Sequence, residues 1–276
     1  MARILFKLTW FSSLIFILLT GCSTDESDKE EISHRNDLML GASARDFLSD
    51  EKFTALEIEI VYVTGFEPTP EALSNLKIFL NKYLNKPDGI TIITRAVASP
   101  NFGTYSLEEI IAQEKTNRTS FSSGKTLSTY IFFADDKSVD SNQDKKIIGK
   151  AYRNTSIIVF DKEVSEMSGF SISRSEIQTT ALHHEFGHLF GLVNNGSPAQ
   201  TPHEETEKSK KAHCIVDGCL MAASIAFGSS PFSYLEDGEN IVDFDEKCQL
   251  DLKANGGKKK LVISWRWSVS RIEFVL

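Results

Sequence analysis

One stretch, from Ser173 to about Val193, limits what this chain can become more than any other. Ser173-Arg174-Ser175-Glu176 has the S-x-x-E spacing in which serine and glutamate satisfy each other's backbone donors at a helix start. Leu182, Phe186, Leu189 and Val193 then recur at helical spacing, a stripe that faces a core. His184, His188 and Gly191 fall on a different stripe. The expectation is a long helix that buries one face and leaves its histidine face free to line a cleft.

His184-Glu185-Phe186-Gly187-His188 is an H-E-x-x-H sequence on that helix. Residues four apart stand one turn above the other, so both imidazoles reach one metal. Neutral imidazole nitrogen suits Zn²⁺, and a catalytic zinc needs three protein ligands and an open position. Glu185, beside the metal, is the candidate general base. The third ligand is less direct. Gly191 stands where H-E-x-x-H-x-x-G-x-x-H requires a sharp turn, but the last position is Asn194, a poor zinc ligand. Two later histidines remain as third ligand, His213 and His203.

The run His213-Cys214-Ile215-Val216-Asp217-Gly218-Cys219-Leu220-Met221 is similar to the archaemetzincin pattern, within the zincin and metzincin class of peptidases. There the third zinc histidine is followed by Cys-x4-Cys-x-Met. The resemblance spans roughly residues 53 to 225 and is specific between His184 and Met221. It implies His213 as third ligand, Met221 as the methionine of the turn beneath the metal, and an insertion from Leu192 to Ala212. The chain departs from the family in lacking its further C-terminal cysteine pair, which helps hold a second zinc; only Cys248 stands there. One catalytic zinc is therefore expected, with Cys214 and Cys219 as a possible disulfide.

Upstream, apolar runs alternate with helical patterns. Strands are expected at Phe53 to Val63, Gly89 to Val97, Leu127 to Phe133, Ile147 to Tyr152 and Ser156 to Phe160, the last two paired across Arg153-Asn154-Thr155. Helices are expected at Pro70 to Leu84 and Ser106 to Lys115. This order implies an α+β fold, metzincin-like by resemblance: a mixed sheet with helices on its faces, an active-site helix, and a small loop-rich C-terminal lobe.

The N-terminus reads as an export signal. Arg3 and Lys7 precede an apolar run from Trp10 to Leu19 that is too short and broken to be a good spanning helix. Leu19-Thr20-Gly21-Cys22 resembles the bacterial lipobox, in which the cysteine is lipid-modified. The organisation is then a signal peptide over 1–21, a disordered acidic tether over 22–50, a peptidase domain over 51–256, and a tail of unknown role over 257–276. The expected location is the outer membrane or cell surface, with the membrane contacted through the lipid on Cys22. A net charge of -8 argues against nucleic acid as a partner. His183, next to the motif, is expected beside the site or facing solvent.

These residues imply a zinc-dependent peptidase acting on a peptide or protein, with Glu185 as base. A zinc-binding envelope lipoprotein that does not catalyse is the alternative. An interaction protein with a coincidental motif is a further one.

Overall fold

The computed structural model describes residues 35–169, 172–223 and 242–258. Its core is a five-stranded sheet in the order β2-β1-β4-β7-β6. Strand β1 (Ala55–Val63) pairs in parallel with β2 (Gly89–Val97) and with β4 (Thr126–Ala134), and β4 pairs in parallel with β7 (Ser156–Phe160). Strand β6 (Gly149–Arg153) closes one edge, antiparallel to β7 across the short turn anticipated at Asn154. The sheet is therefore mixed and mostly parallel, with helices on its faces. A parallel sheet covered on both faces requires near-continuous apolar strands, and β4 and β7 are buried almost along their whole length.

Side chains alternate across the strands, so each strand feeds two cores. On one face Ile58, Ile60, Ile131, Phe133, Ile157 and Val159 meet the helices. On the other, Val61, Val63, Tyr130, Phe132, Ile158 and Phe160 form a smaller cluster with Tyr105 and Ile110. Helix α2 (Pro70–Tyr83) makes the crossover from β1 to β2. Thr69 caps it, its hydroxyl accepting from the Ala72 amide, and Pro70 sits at the first helical position, where a missing N–H costs nothing. Helix α3 (Leu107–Asn117) follows β2 and starts with a reciprocal Ser106–Glu109 capping box. A minor parallel pair, β3 (Thr104–Tyr105) with β5 (Lys137–Ser138), flanks it.

Three short helices had no clear periodic signature: α1 (Ala44–Leu48), α4 (Asp161–Met167) and α6 (Glu246–Ala254). The first corrects the expected tether. From Arg35 on, the segment read as tether is packed: Phe47 and Leu48 are fully buried. The Asn154 side-chain amide donates to the Arg35 carbonyl and to the Ser43 hydroxyl, while its oxygen accepts from the Leu38 amide. The buried Lys86 ammonium donates to the carbonyls of Asp46, Ser49 and Phe53, tying the same segment to the end of α2. The signal peptide, Cys22, the rest of the tether and the tail beyond Lys258 lie outside the described residues.

Among the described residues beyond the helix that carries the motif, loops prevail, with a 3₁₀ turn at Lys208–Lys210 and helix α6.

Candidate metal centre

The motif helix, α5, spans Arg174–Leu189 and starts with the anticipated capping box: the Ser173 hydroxyl accepts from the Glu176 amide, and the Glu176 carboxylate accepts from the Ser173 amide at 2.7 Å. Its first turns are locked in place by Gln178, which accepts from the Thr69 amide at 2.8 Å and donates to the buried Asp161 at 2.7 Å. The expected free histidine face is corrected. Residues Ile177 to Leu189 are buried almost all round the helix, His188 included, and His184 is half-buried. His183 is neither solvent-facing nor beside the metal site; it is buried and stacked on Phe79 with ring centroids 3.9 Å apart.

The helix stops at a turn that only glycine tolerates. Gly191 has φ +74°, and a Cβ there would lie 2.5 Å from the Ser197 amide nitrogen and 2.8 Å from the Ala44 methyl. Asn194 is exposed just beyond it. The chain returns 19 positions later, 213 minus 194, to place His213 against α5.

His184, His188 and His213 converge. Ring centroids are 4.9 Å apart for His184 and His188, 5.4 Å for His184 and His213, and 5.0 Å for His188 and His213. One nitrogen of each lies within 4.8 Å of the others. Carbonyls fix two of the tautomers, because a carbonyl only accepts. The His184 Nδ1–H donates to the Leu220 carbonyl at 2.7 Å, and the His213 Nδ1–H to the Lys211 carbonyl at 3.0 Å. Each then keeps its Nε2 lone pair free. Burial holds all three imidazoles below their ordinary pKa, His188 far below, so they stay neutral. Neutral imidazole is the form that binds metal. Two converging lone pairs, with a third available from neutral His188, whose Nδ1 has no hydrogen-bond partner, fit one zinc with an open position.

Glu185 is set against the edge strand. Its carboxylate accepts from the Ala151 amide at 2.6 Å, and burial pushes its pKa up to about 7. Gly149 makes the approach possible, since a Cβ there would come within 3.0 Å of the Glu185 carboxylate. Under the helix lies Met221, fully buried, against Gly187; a Cβ on Gly187 would stand 2.2 Å from its sulfur. The backbone around Met221 also supplies the Leu220 carbonyl that orients His184.

His203 is not part of this group. Its place, and the state of the cysteines, are the second correction. Cys214, Cys219 and Cys248 are buried free thiols, so the expected Cys214–Cys219 bridge is not made. With Asp245 they form a second cluster whose ligand atoms all lie within 4.8 Å of one another. The imidazole of His203, 1% exposed, points its Nε2 at Cys248 Sγ from 3.6 Å. The sequence reading found neither Asp245 nor the edge-strand contacts of Gly149 and Ala151. The Asp245-x-x-Cys248 spacing after Cys214-x4-Cys219 was the available signal for the former.

No protein-family model matches the chain, and no curated protein matches it. Among solved structures, the chain is similar to an archaemetzincin from Methanopyrus kandleri, with 17% identity over 73% of this chain and 96% of that one and a TM-score of 0.47. It is also similar to a zinc-dependent peptidase from Methanocorpusculum labreanum, with 15% identity over 71% of this chain and 99% of that one and a TM-score of 0.41. Both likenesses are distant, and the chemistry below is taken from this chain's own residues.

Proposed function

We propose that the chain is a zinc-dependent peptidase whose metal is held by His184, His188 and His213 and whose general base is Glu185. The observation that carries this reading is a buried carboxylate placed in sequence and space beside three converging, neutral imidazoles. When bound, zinc supplies a Lewis acid that polarises a carbonyl and makes a water acidic.

The residues supply the rest. Glu185, with its carboxyl near neutrality, takes the proton of the attacking water and delivers it to the departing amine. The Ala151 amide steadies that carboxylate. Strand β6 is one of the two outer strands of the sheet and passes beside Glu185, so an extended peptide lying along this edge brings its backbone to the base. Leu220 and Met221 hold the histidine cage from below. Peptide or protein is accordingly the substrate class we infer. From the sequence around Cys22 we further infer export and a lipid anchor at the cell envelope.

The test compares wild type, Glu185→Gln and His213→Ala for zinc content and for cleavage of a mixed peptide library. Zinc retained but cleavage lost in Glu185→Gln, and zinc lost in His213→Ala, supports the reading. Zinc binding with equal cleavage in wild type and Glu185→Gln removes Glu185 as base. Zinc binding with no cleavage by the wild type favours a non-catalytic zinc protein.

A further inference from the structure

We propose that residues 261–269 dock along the free edge of β2 in the same chain, as a strand parallel to it.

The edge comes first. Strand β2 is an outer strand and, among the described residues, pairs only with β1, in an unbroken register from Ala55 with Gly89 to Val63 with Val97. Ile93, Thr94, Arg95 and Ala96 alternate between the two faces of the sheet, and all four are exposed. A long, regular, apolar edge is a template for another strand, and proteins blunt such edges by shortness, bulges, prolines or lysines. The opposite edge has two of these devices: β6 is 5 residues long, and its register breaks between Ala151 and Arg153. Strand β2, Gly-Ile-Thr-Ile-Ile-Thr-Arg-Ala-Val, is 9 residues long and has neither break nor proline nor lysine. Its one charge, Arg95, turns back to donate to the Glu59 carboxylate at 3.1 Å and to the Asn117 carbonyl.

Pattern and position name the occupant. Leu261, Ile263, Trp265, Trp267 and Val269 alternate with Val262, Ser264, Arg266 and Ser268. That is the pattern of a strand with one apolar and one mostly polar face, and it matches β2 in length. The described chain reaches Lys258 close to the start of β2. The Lys258 amide donates to the Tyr83 carbonyl and its ammonium to the Asn81 carbonyl, each at 2.8 Å. The Asn85 side-chain amide donates to the Gly256 carbonyl at 2.7 Å. The link from Asn85 to Gly89 spans at most about 14 Å, and the link from Gly256 to Leu261 can span about 17 Å. Residues 261–269 can therefore start level with Gly89 and run with β2, which makes the pairing parallel. So short a link keeps the segment at high effective concentration beside this edge, ahead of any second copy.

The experiment compares the full chain with Ile263→Pro plus Ser264→Pro and with Ile263→Val plus Ser264→Thr. Adjacent prolines remove a donor whichever way the strand faces, whereas Val and Thr keep the strand preference. Hydrogen exchange is followed by mass spectrometry. The proline variant should exchange its β2 amides about tenfold or more faster than wild type, while β4 and β7 stay as slow as before and so report an intact fold. The Val and Thr variant should match wild type. In a second measurement, Ile93→Cys is labelled with benzophenone maleimide and photolysed; Cys214, Cys219 and Cys248 are buried from the reagent. The captured peptides should include the one holding Trp265, from the same chain. Equal β2 exchange in wild type and the proline variant would overturn the proposal. So would capture that misses residues 261–269, or a covalent dimer, the mark of a second copy on this edge. None of these outcomes bears on the His184–His188–His213 site.

Discussion

Glu185 is a carboxyl whose surroundings decide its charge. In the metal-free chain, burial raises its pKa from 4.5 to about 7, so the folded state prefers the protonated form. Its contribution to stability is full below about pH 4.5 and is lost as pH rises through about 7. His188 works with the opposite sign. Its pKa is depressed from 6.5, so its contribution is present above that value and is lost as pH falls. The two slopes oppose each other in mildly acidic solution, and their difference isolates Glu185. Melting temperature against pH, measured on metal-stripped wild type and Glu185→Gln, should diverge as pH rises from 4.5 to 7, the variant becoming relatively more stable. Parallel curves would contradict the burial of Glu185. Gly187 supplies a second residue-scale prediction. Its Cβ would collide with Met221 and press on Phe244, so Gly187→Ala should cost about 1–3 kcal/mol in thermal or urea unfolding.

At the scale of elements, α5 is a scaffold whose start and end are both specified locally. Ser173→Ala removes the acceptor for the Glu176 amide and should cost about 1 kcal/mol in unfolding while leaving zinc content unchanged. The contact between β6 and α5 has a different readout. Gly149→Ala displaces the Glu185 carboxylate and should lower turnover by about tenfold or more at unchanged zinc content.

This division also explains what the sequence disclosed. The sheet strands, α2, α3 and α5 were legible because continuous apolar runs, 3.6-residue spacing and capping boxes are local signals. His184, Glu185 and His188 were legible because one helical turn places them. Helices α1, α4 and α6 were not, since helices this short depend on packing rather than on their own pattern. His203 lies apart from the three converging rings, its Nε2 3.6 Å from Cys248 Sγ, at a place set by the fold and not by local spacing. Cys214 and Cys219 are spaced for a bridge in the sequence yet are free thiols, and Cys248, whose sulfur lies 3.7 Å from that of Cys219, comes from a segment that meets them only in the folded chain.

For the whole molecule, the described part of the entry segment is integral to the domain rather than a tether. Lys86→Met would leave two buried carbonyls and a half-buried one without their shared donor and should destabilise the protein by roughly 2–4 kcal/mol. The anchoring reading has its own test: in a bacterial host, wild type should fractionate with membranes and Cys22→Ser should not. Equal partitioning would contradict a lipid anchor at Cys22. Crystals of the zinc-loaded protein, with diffraction recorded on both sides of the zinc absorption edge, test the three-histidine metal centre beside Glu185. An anomalous peak should lie bonded to the Nε2 atoms of His184 and His213 and to one ring nitrogen of His188, each at about 2.0–2.1 Å. Absence of a peak among these three rings, or a peak that His213 does not touch, would contradict it.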